Sequence, residues 1–419
     1  MNLFIAQKKD YNQFNLFQQI VGILIITFPF CIIIGTAFVE INANLIALYG
    51  LLNFIILKKY KNNKIIIFLL FIYFFSNFSS FLSPNNFDAF SRSLFLFRYP
   101  LFFFGLILFL NNNDKYLHYT LISITVAVIF VYFDDLFQLI TGEDIFNFKK
   151  QQHRLSGPFN DELIPGIFLF RFGLISIITI ISLVKIKNNF FNLLLSMSLI
   201  LGVVITGEKT SSVMIFLSIS LFYFINYGFK KIYLIFIILI VFISSLVVII
   251  NTNEIYKERI WGETKRTLGI FNEDRSFIDS EHGVMLFTAY KIWENNKLFG
   301  VGLKNYRHLC KDDKYAEINS LVVDNRCSTH PHNFYLEILS ELGLIGIFLY
   351  VSLFIFILFK IFQNYKKEKN IITLSIFCTL SVILFPFLFT NSFFTNFNLL
   401  WIVFLLSIGL VKFKSENEK

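Results

Sequence analysis

Apolar residues run in long blocks along this chain, separated by short clusters rich in Asn, Lys and Asp. Each block is close to the ~20 residues that a helix needs to cross the hydrocarbon of a bilayer. Twelve can be drawn, roughly 16–38, 41–57, 64–82, 90–110, 117–140, 161–184, 190–206, 209–226, 232–250, 334–360, 371–389 and 396–411. In lipid every backbone amide and carbonyl must be satisfied within its own segment, so each block is expected to be helical. The pattern predicts an all-α fold, a polytopic transmembrane bundle of twelve spans, in three parts. Residues 1–250 hold nine helices, 251–333 form one long polar segment, and 334–419 hold three more helices and a polar tail. No repeat stands out at a period of 20–50 residues, and neither does an inverted pair of interrupted helices of the transporter kind.

Composition agrees with this pattern. The 419 residues are 56% hydrophobic and include 57 Phe, which is too much apolar surface for a soluble core and makes membrane lipids its surroundings. The first apolar run is long and many follow, so it reads as a span rather than a cleaved signal peptide. The net charge of +9 reads as membrane orientation and not as a nucleic-acid surface. Eighteen of the 37 basic residues fall in alternate connections: Lys8, Lys9, Lys58, Lys59, Lys61, Lys64, Lys115, Lys185, Lys187, Lys230, Lys231, Lys360, Lys366, Lys367, Lys369, Lys412, Lys414 and Lys419. The positive-inside rule then makes both termini cytoplasmic and puts 251–333 on the far side. That segment carries twelve basic and twelve acidic residues. With helical patterning over 281–296 and a glycine turn at Gly300 and Gly302, it reads as a small folded cap.

Two of the four cysteines, Cys31 and Cys378, fall inside spans as small hydrophobes. Cys310 and Cys327 fall in the outer segment, seventeen residues apart. In an oxidising compartment they would form a disulfide worth about 3 kcal/mol on the loop-entropy estimate; two free thiols are the alternative. Neither has CxxC spacing and His308 stands alone beside Cys310, so no metal site is expected. No phosphate-binding GxxxxGK[ST] loop and no HExxH motif is present, so neither a nucleotide nor a cofactor is expected.

Ionisable groups at membrane depth are costly and are candidates for function. Arg98 lies in the fourth span, Arg171 in the sixth, and Asp134 and Asp135 toward the outer end of the fifth. Arg154 precedes the sixth span, and Lys209 marks the outer turn between the seventh and eighth. All are expected to converge on the outer half of the bundle. Plainer readings stand beside these. Arg98 and Arg171 could pair with Asp134, Asp135 or a carbonyl, Lys209 with Glu208, and Asp161 could cap the sixth span.

The stretch CSTHPHNFYLEILSELGLIG, from Cys327 to Gly346, joins the polar segment to the tenth span. Pro331 suits the first turn of a helix, with Ser328 or Thr329 as its N-cap. His332 would then lie in that first turn, where free N–H groups and the helix dipole favour an anion such as phosphate. An imidazole near its usual pKa of about 6.5 suits taking a proton from a hydroxyl at neutral pH. Nearby cations would hold a diphosphate and stabilise it as it leaves. Together these parts suit transfer of a group from a diphosphate carrier to a hydroxyl acceptor at the outer face. Gly343 and Gly346 read most simply as sites of close helix packing.

At these same residues the chain resembles the O-antigen ligase and O-antigen polymerase superfamily of membrane glycosyltransferases. The signature is His332, Asn333, nine residues, Gly343, two residues, Gly346. Weaker blocks begin at Arg154 (RLSGPFNDELIPG), Thr206 (TGEKTSS) and Phe299 (FGVGLKNYR), so the likeness runs from about 154 to 360. It implies a donor glycan on undecaprenyl diphosphate at the periplasmic face of the bacterial inner membrane. The acceptor would be lipid A–core in a ligase, or a carrier-linked glycan in a polymerase. A metal-independent inverting transfer is implied, with His332 activating the acceptor hydroxyl and Arg154 and Lys209 holding the diphosphate. Asn333, His330, His282 and Arg171 complete the expected binding set. Lys209 stands where the family usually has arginine, keeping the charge but losing the bidentate fork. His282 stands where many ligases carry arginine, and is either a further polar group of the site or a cap on the loop helix. A lipid-linked sugar transporter or flippase is the rival from another class; it leaves the long outer segment and the HPHN junction unexplained.

Overall fold

The computed structural model describes residues 16–57, 64–83, 86–151, 154–185, 188–252, 254–262, 264–265, 277–316, 318, 320, 322–388 and 391–413. Lys8, Lys9, Lys58, Lys59, Lys61, Lys187, Lys414 and Lys419, which entered the orientation argument, lie outside the described residues. Among the described residues the fold is all-helical, with isolated β-bridges only at Glu143–Lys149 and Gln151–Arg154.

The helices are α1 (Leu16–Ile34), α2 (Thr36–Leu57), α3 (Lys64–Phe81), α4 (Asn86–Leu94), α5 (Arg98–Asn112), α6 (Asp114–Thr141), α7 (Pro165–Val184) and α8 (Asn189–Ile205). Then come α9 (Lys209–Tyr227), α10 (Tyr233–Thr252), α11 (Glu254–Lys257), α12 (Glu281–Asn295), α13 (Tyr306–Leu309), α14 (Phe334–Glu368), α15 (Ile371–Ile383) and α16 (Asn396–Leu410). Among the described residues, eight helical stretches are long and apolar enough to cross a membrane. They are α1, most of α2, Phe87–Asn112 (α4 and α5 joined by a 3-10 turn), α6, α7, Lys209–Lys231, α10 and α14. Four shorter apolar helices, Ile65–Phe81, Asn189–Ile205, Ile371–Ile383 and Asn396–Leu410, pack among them.

Two neighbourhoods make up the bundle. In one, α5 packs on α2 and α16, and α1 lies on α2 and α6. Gly50 and Gly105 set the first contact: a Cβ on Gly50 would lie 2.2 Å from the Leu101 carbonyl oxygen, so only glycine lets these backbones approach so closely. In the other, α7 is the central rod and contacts α6, α8, α9 and α15. Its face is almost wholly buried, including Arg171. Phe168 and Phe172 meet Trp401 of α16 at ring-centroid distances of 5.6 and 5.2 Å.

The cap builds its own small core from Ala289, Ile292, Val301, Tyr306, Cys310 and Tyr315. Cys310 and Cys327 are joined, with Cα atoms 5.3 Å apart, and Arg326 Nε donates to the Cys310 carbonyl at 3.0 Å. The cap is tied to the bundle through a break in α14. Gly343 has φ +68° and ψ −168°, which interrupts the helix. Residues 297–302 lie across the break: Val301 N donates to Ser340 O at 3.1 Å, Gly302 N to Glu341 O at 2.8 Å, and Leu344 N to Lys297 O at 2.8 Å. The groups released by the break are thus re-satisfied by a backbone strap, as burial requires. A Cβ at Gly343 would lie 2.3 Å from the Leu298 carbonyl oxygen. The reading of Gly343 as a helix–helix packing site is therefore corrected: it admits a loop backbone, through a conformation that L residues rarely adopt.

This predicts that Gly343→Ala destabilises the protein by about 2–3 kcal/mol. Gly142→Ala, also at positive φ but with open space around its Cβ, should cost about 1 kcal/mol. Thermal unfolding of the two variants in detergent checks this; equal melting temperatures would remove the strap from the account.

Candidate functional site

The connection after α6 is folded around one amide. Gln138 Oε1 accepts from Ser156 N at 3.0 Å and Gly157 N at 2.9 Å, and its Nε2 donates to Phe148 O at 2.9 Å. Asp144 closes the turn before it, accepting from Phe146 N at 3.0 Å and Phe148 N at 2.6 Å. Leu155 N then donates to Thr206 O at 3.1 Å, which lays the RLSG stretch against the TGEKTSS turn. Arg154 is fixed where the two meet. Its Nη2 donates to Leu163 O at 2.6 Å and lies 3.9 Å from Glu208 Oε1.

Glu208 organises this corner. It is 5% exposed and sits one residue before α9. Oε1 accepts from Gly166 N of α7 at 2.9 Å, and Oε2 accepts from Ser211 Oγ at 2.8 Å. One carboxylate therefore caps the start of α7 and braces α9. Burial pushes its pKa above the ordinary carboxylate range, while Arg154 and these donors pull it back.

The residues from Thr329 to Phe334 turn differently from the sequence expectation. The N-cap of α14 is Asn333, whose Oδ1 accepts from Tyr335 N at 3.0 Å and Leu336 N at 3.1 Å. Neither Ser328 nor Thr329 caps the helix; Thr329 Oγ1 is 2.9 Å from His330 Nδ1. Asn wins because it is among the strongest capping residues and stands directly before the apolar run. His332 is consequently outside the helix, one residue before the cap, with φ +58°. The Asn333 amide is also committed elsewhere, its Nδ2 donating to Pro386 O at 2.7 Å. Asn333 thus caps α14 directly after His332 and does not line the cavity described next.

A cavity of about 270 Å³ opens at this point. It is lined by Arg154, Arg171, Glu208, Lys209, His282 and His332, with Ser211, Thr210 and Asn391 as further polar groups and Ile167, Phe170, Met214, Phe334 and Ile383 as apolar wall. The chain thus brings together five of the expected residues from four separate regions. His330 borders His332 at a ring-centroid distance of 4.2 Å, and His282 is 4.9 Å from His332 on another side. Arg171 lies on the buried floor, stacked over Trp401 at 4.6 Å and donating to Asn398 Oδ1.

Four helices begin at this cavity. Ile167 is in the first turn of α7, Lys209 to Ser211 in that of α9, His282 in that of α12, and Phe334 in that of α14. Each start carries a partial positive charge, while first-turn N–H groups of α7, α12 and α14 are already taken by Glu208, Ser280 and Asn333. With three cationic side chains and one carboxylate around it, the cavity is set up for an anion.

His332 differs from expectation in its chemistry too. Burial, and then the neighbouring His330 and His282, push its pKa down to about 3. Burial lowers His282 as well, Glu281 opposing and Lys209 reinforcing the shift. The imidazole is therefore neutral at pH 7 in this arrangement and a weaker base than one at 6.5.

Several expected partners are elsewhere. Arg98 pairs with Glu40 at 2.6 Å and not with Asp134 or Asp135. Asp134 accepts from Ile145 N at 2.9 Å, and Asp135 is buried against Gly157. None of the three lines this cavity. Asp161 does not cap α7, whose N-cap is Ile164 followed by Pro165. His308 is exposed on the cap. Glu208 and Ser211 were missed as site residues although both lie in the TGEKTSS block; an acid immediately before a helix start, with Ser three residues on, was the signal available.

Residues 193–351 match the model of the O-antigen ligase family. The family resemblance is borne out over that segment, which spans α8 to the first part of α14 and includes Lys209, His282, His330 and His332. Together with the apolar helices it supports a membrane protein with an O-antigen ligase- or polymerase-type function. No curated protein matches the chain.

The depressed pKa of His332 has a measurable sign. The unfolded chain takes up this proton near pH 6.5 and the folded one only near 3, so stability from this group is complete above 6.5 and is lost as the pH falls through that window. Thermal melts from pH 6.5 to 4 should fall less steeply for His332→Asn, which keeps a residue tolerant of positive φ, than for the parent. Parallel curves would mean that His332 titrates normally.

Proposed function

We propose that this protein is a glycosyltransferase of the O-antigen ligase type. It would move a glycan from undecaprenyl diphosphate to a hydroxyl of lipid A–core at the periplasmic face of the bacterial inner membrane. The observation that carries this is the cavity in which His332 meets Arg154, Lys209 and Arg171 beside four helix starts, within and next to the matched segment. The eight long helices and the four shorter apolar ones support a twelve-span bundle. The lysine distribution in the sequence supports cytoplasmic termini and a periplasmic cap. The parts 1–250, 251–333 and 334–419 then act as bundle, lid and closing helices.

In the step we infer, the acceptor hydroxyl oxygen attacks the anomeric carbon of the donor sugar from the face opposite the diphosphate. The new C–O bond forms as the bond to the diphosphate oxygen breaks, which inverts the anomeric centre. The electron pair leaves on undecaprenyl diphosphate, whose charge is met by Arg154, Lys209, Arg171 and the helix starts. The hydroxyl proton passes to His332. A diphosphate bound beside that ring raises its basicity, because an adjacent anion favours the charged imidazole. No metal is needed for this charge work, since the cations are fixed in the wall. His330 and His282 pack on His332 and hold its plane.

A polymerase, in which the acceptor is another carrier-linked glycan, uses the same parts and is the second reading. Gene deletion separates the two: loss of a ligase leaves polymer on its carrier, and loss of a polymerase leaves single repeat units attached to lipid A–core. A transporter or flippase is disfavoured by His282 and His332 in the wall of one anion cavity, with His330 packed on His332.

His332→Asn and His332→Ala should each lower transfer by at least a hundredfold in a purified assay with carrier-linked donor, with the melting temperature of the Asn variant near that of the parent. Retained transfer would reject the role of His332. Lys209→Arg should remain active and Lys209→Ala should not; equal rates would take Lys209 out of the site. Added EDTA should leave the rate unchanged, and strong inhibition reversed by a divalent cation would contradict the fixed-cation mechanism.

A further inference from the structure

A second cavity, of about 320 Å³, lies between α4–α5 and the cap, and neither the transfer step nor the family match assigns it a role. It is lined by Arg92, Arg98 and Lys304 together with Phe95, Leu96, Tyr99, Leu303, Phe394 and Asn396. No acidic side chain is in that lining. Arg98 is partly neutralised by Glu40, but among the described residues Arg92 and Lys304 have no ion pair. We propose that this cavity holds the phosphate headgroup of an amphiphile, distinct from the diphosphate carried to the first cavity.

Three observations carry the proposal. First, Lys304 is held in place against an unfavourable field. It has φ +59°, and its N–H donates to Glu341 Oε2 at 2.7 Å. Burial, then Arg307 and Arg92, lower its pKa, with Glu341 and Glu337 only partly offsetting them. A phosphate between Arg92 and Lys304 would relieve that repulsion and accept charge-assisted bonds from both. The acids behind are already engaged: Glu341 by the N–H groups of Lys304 and Tyr306, and Glu337 by Ser392 Oγ and Phe393 N.

Second, the surroundings favour a lipid over a free ion. Phe87, Leu94, Phe95 and Phe97 on α4 and the 3-10 turn after it are 83%, 41%, 62% and 47% exposed. These rings lie at the start of the Phe87–Asn112 stretch, which is long and apolar enough to cross a membrane, so acyl chains would surround them. Tails can run along these rings while the phosphate turns inward.

Third, the two cavities share a wall. Asn391 lines the first, Phe394 and Asn396 the second, and Asn398 takes the hydrogen bond of Arg171. The 391–398 segment therefore contributes to the surroundings of both cavities. The proposal stands whether the first cavity serves a ligase or a polymerase.

The test uses the full-length protein in a non-ionic detergent and measures binding by native mass spectrometry. The probes are dioctanoyl phosphatidate, neutral dioctanoylglycerol and inorganic phosphate. Phosphatidate should bind the parent and His332→Ala equally, and Arg92→Gln/Lys304→Gln at least tenfold more weakly. Arg92→Lys/Lys304→Arg, which keeps both charges, should bind within threefold of the parent. Dioctanoylglycerol should not bind at this site. The proposal is overturned by unchanged phosphatidate affinity in the double Gln variant, or by equal loss in His332→Ala, which would place the lipid in the first cavity. Inorganic phosphate binding as tightly as phosphatidate would also overturn it, making this a free-anion site.

Discussion

One buried carboxylate makes the rest of the site possible. Three cationic side chains and four helix starts around a cavity of about 270 Å³ would repel one another where burial weakens screening. Glu208 is the internal counter-charge. It faces Arg154, takes an N–H from the start of α7 and a hydroxyl from the start of α9. It thus fixes the geometry of three elements with two oxygens while leaving the sum of charges positive. An anion entering the cavity finds donors already aimed and an excess of one sign, so little reorganisation is needed on binding.

The position of His332 depends on backbone, more than on its own contacts. Asn333 caps α14 and is anchored to the 386–388 segment. That leaves His332 in a left-handed conformation, which His adopts more readily than most residues. About three turns further along, the break at Gly343 takes in the 297–302 strap, and the same loop carries on to Lys304 at the second cavity. The HPHN junction and the glycine pair, eleven residues apart, therefore act on one object. The first sets the ring at the mouth of the helix, and the second ties the cap that supplies His282.

How much of this was legible in the sequence follows from what each feature depends on. Membrane spans are a property of local composition, so the apolar blocks correspond closely to helices. The likeness centred on His332 was legible because its residues are near one another in the chain. Arg154 and Lys209 were found as charged groups beside span ends, where solvation cost makes them conspicuous, and His282 only through the family likeness. What stayed hidden was partnership. Arg98 looked equivalent to Arg171, and only three-dimensional packing sends one to Glu40 and the other to Asn398 and Trp401. The N-cap was misplaced by four or five residues because Pro331 offered a strong local signal, which the capping amide of Asn333 outweighs. Gly343 could not be told from a packing glycine, since the strap that needs it comes from more than forty residues earlier. Glu208 was overlooked because an acid beside a lysine reads as a surface pair.

The low basicity of His332 is consistent with catalysis once the order of events is considered. Burial, and then His330 and His282, keep the imidazole neutral. A neutral ring accepts a hydrogen bond from a hydroxyl at any physiological pH. The energy that makes it a base has to come from the anion that arrives with the donor and grows more negative as the sugar bond breaks. In the proposed step, proton transfer is then coupled to departure of the diphosphate: the ring would gain its charge as the leaving group gains the opposite one. On that proposal, binding of the acceptor alone would leave the hydroxyl unactivated, and the cations would hold the carrier without using the base. On this argument the cationic wall and the imidazole are one device, in which the substrate's own charge supplies the switch.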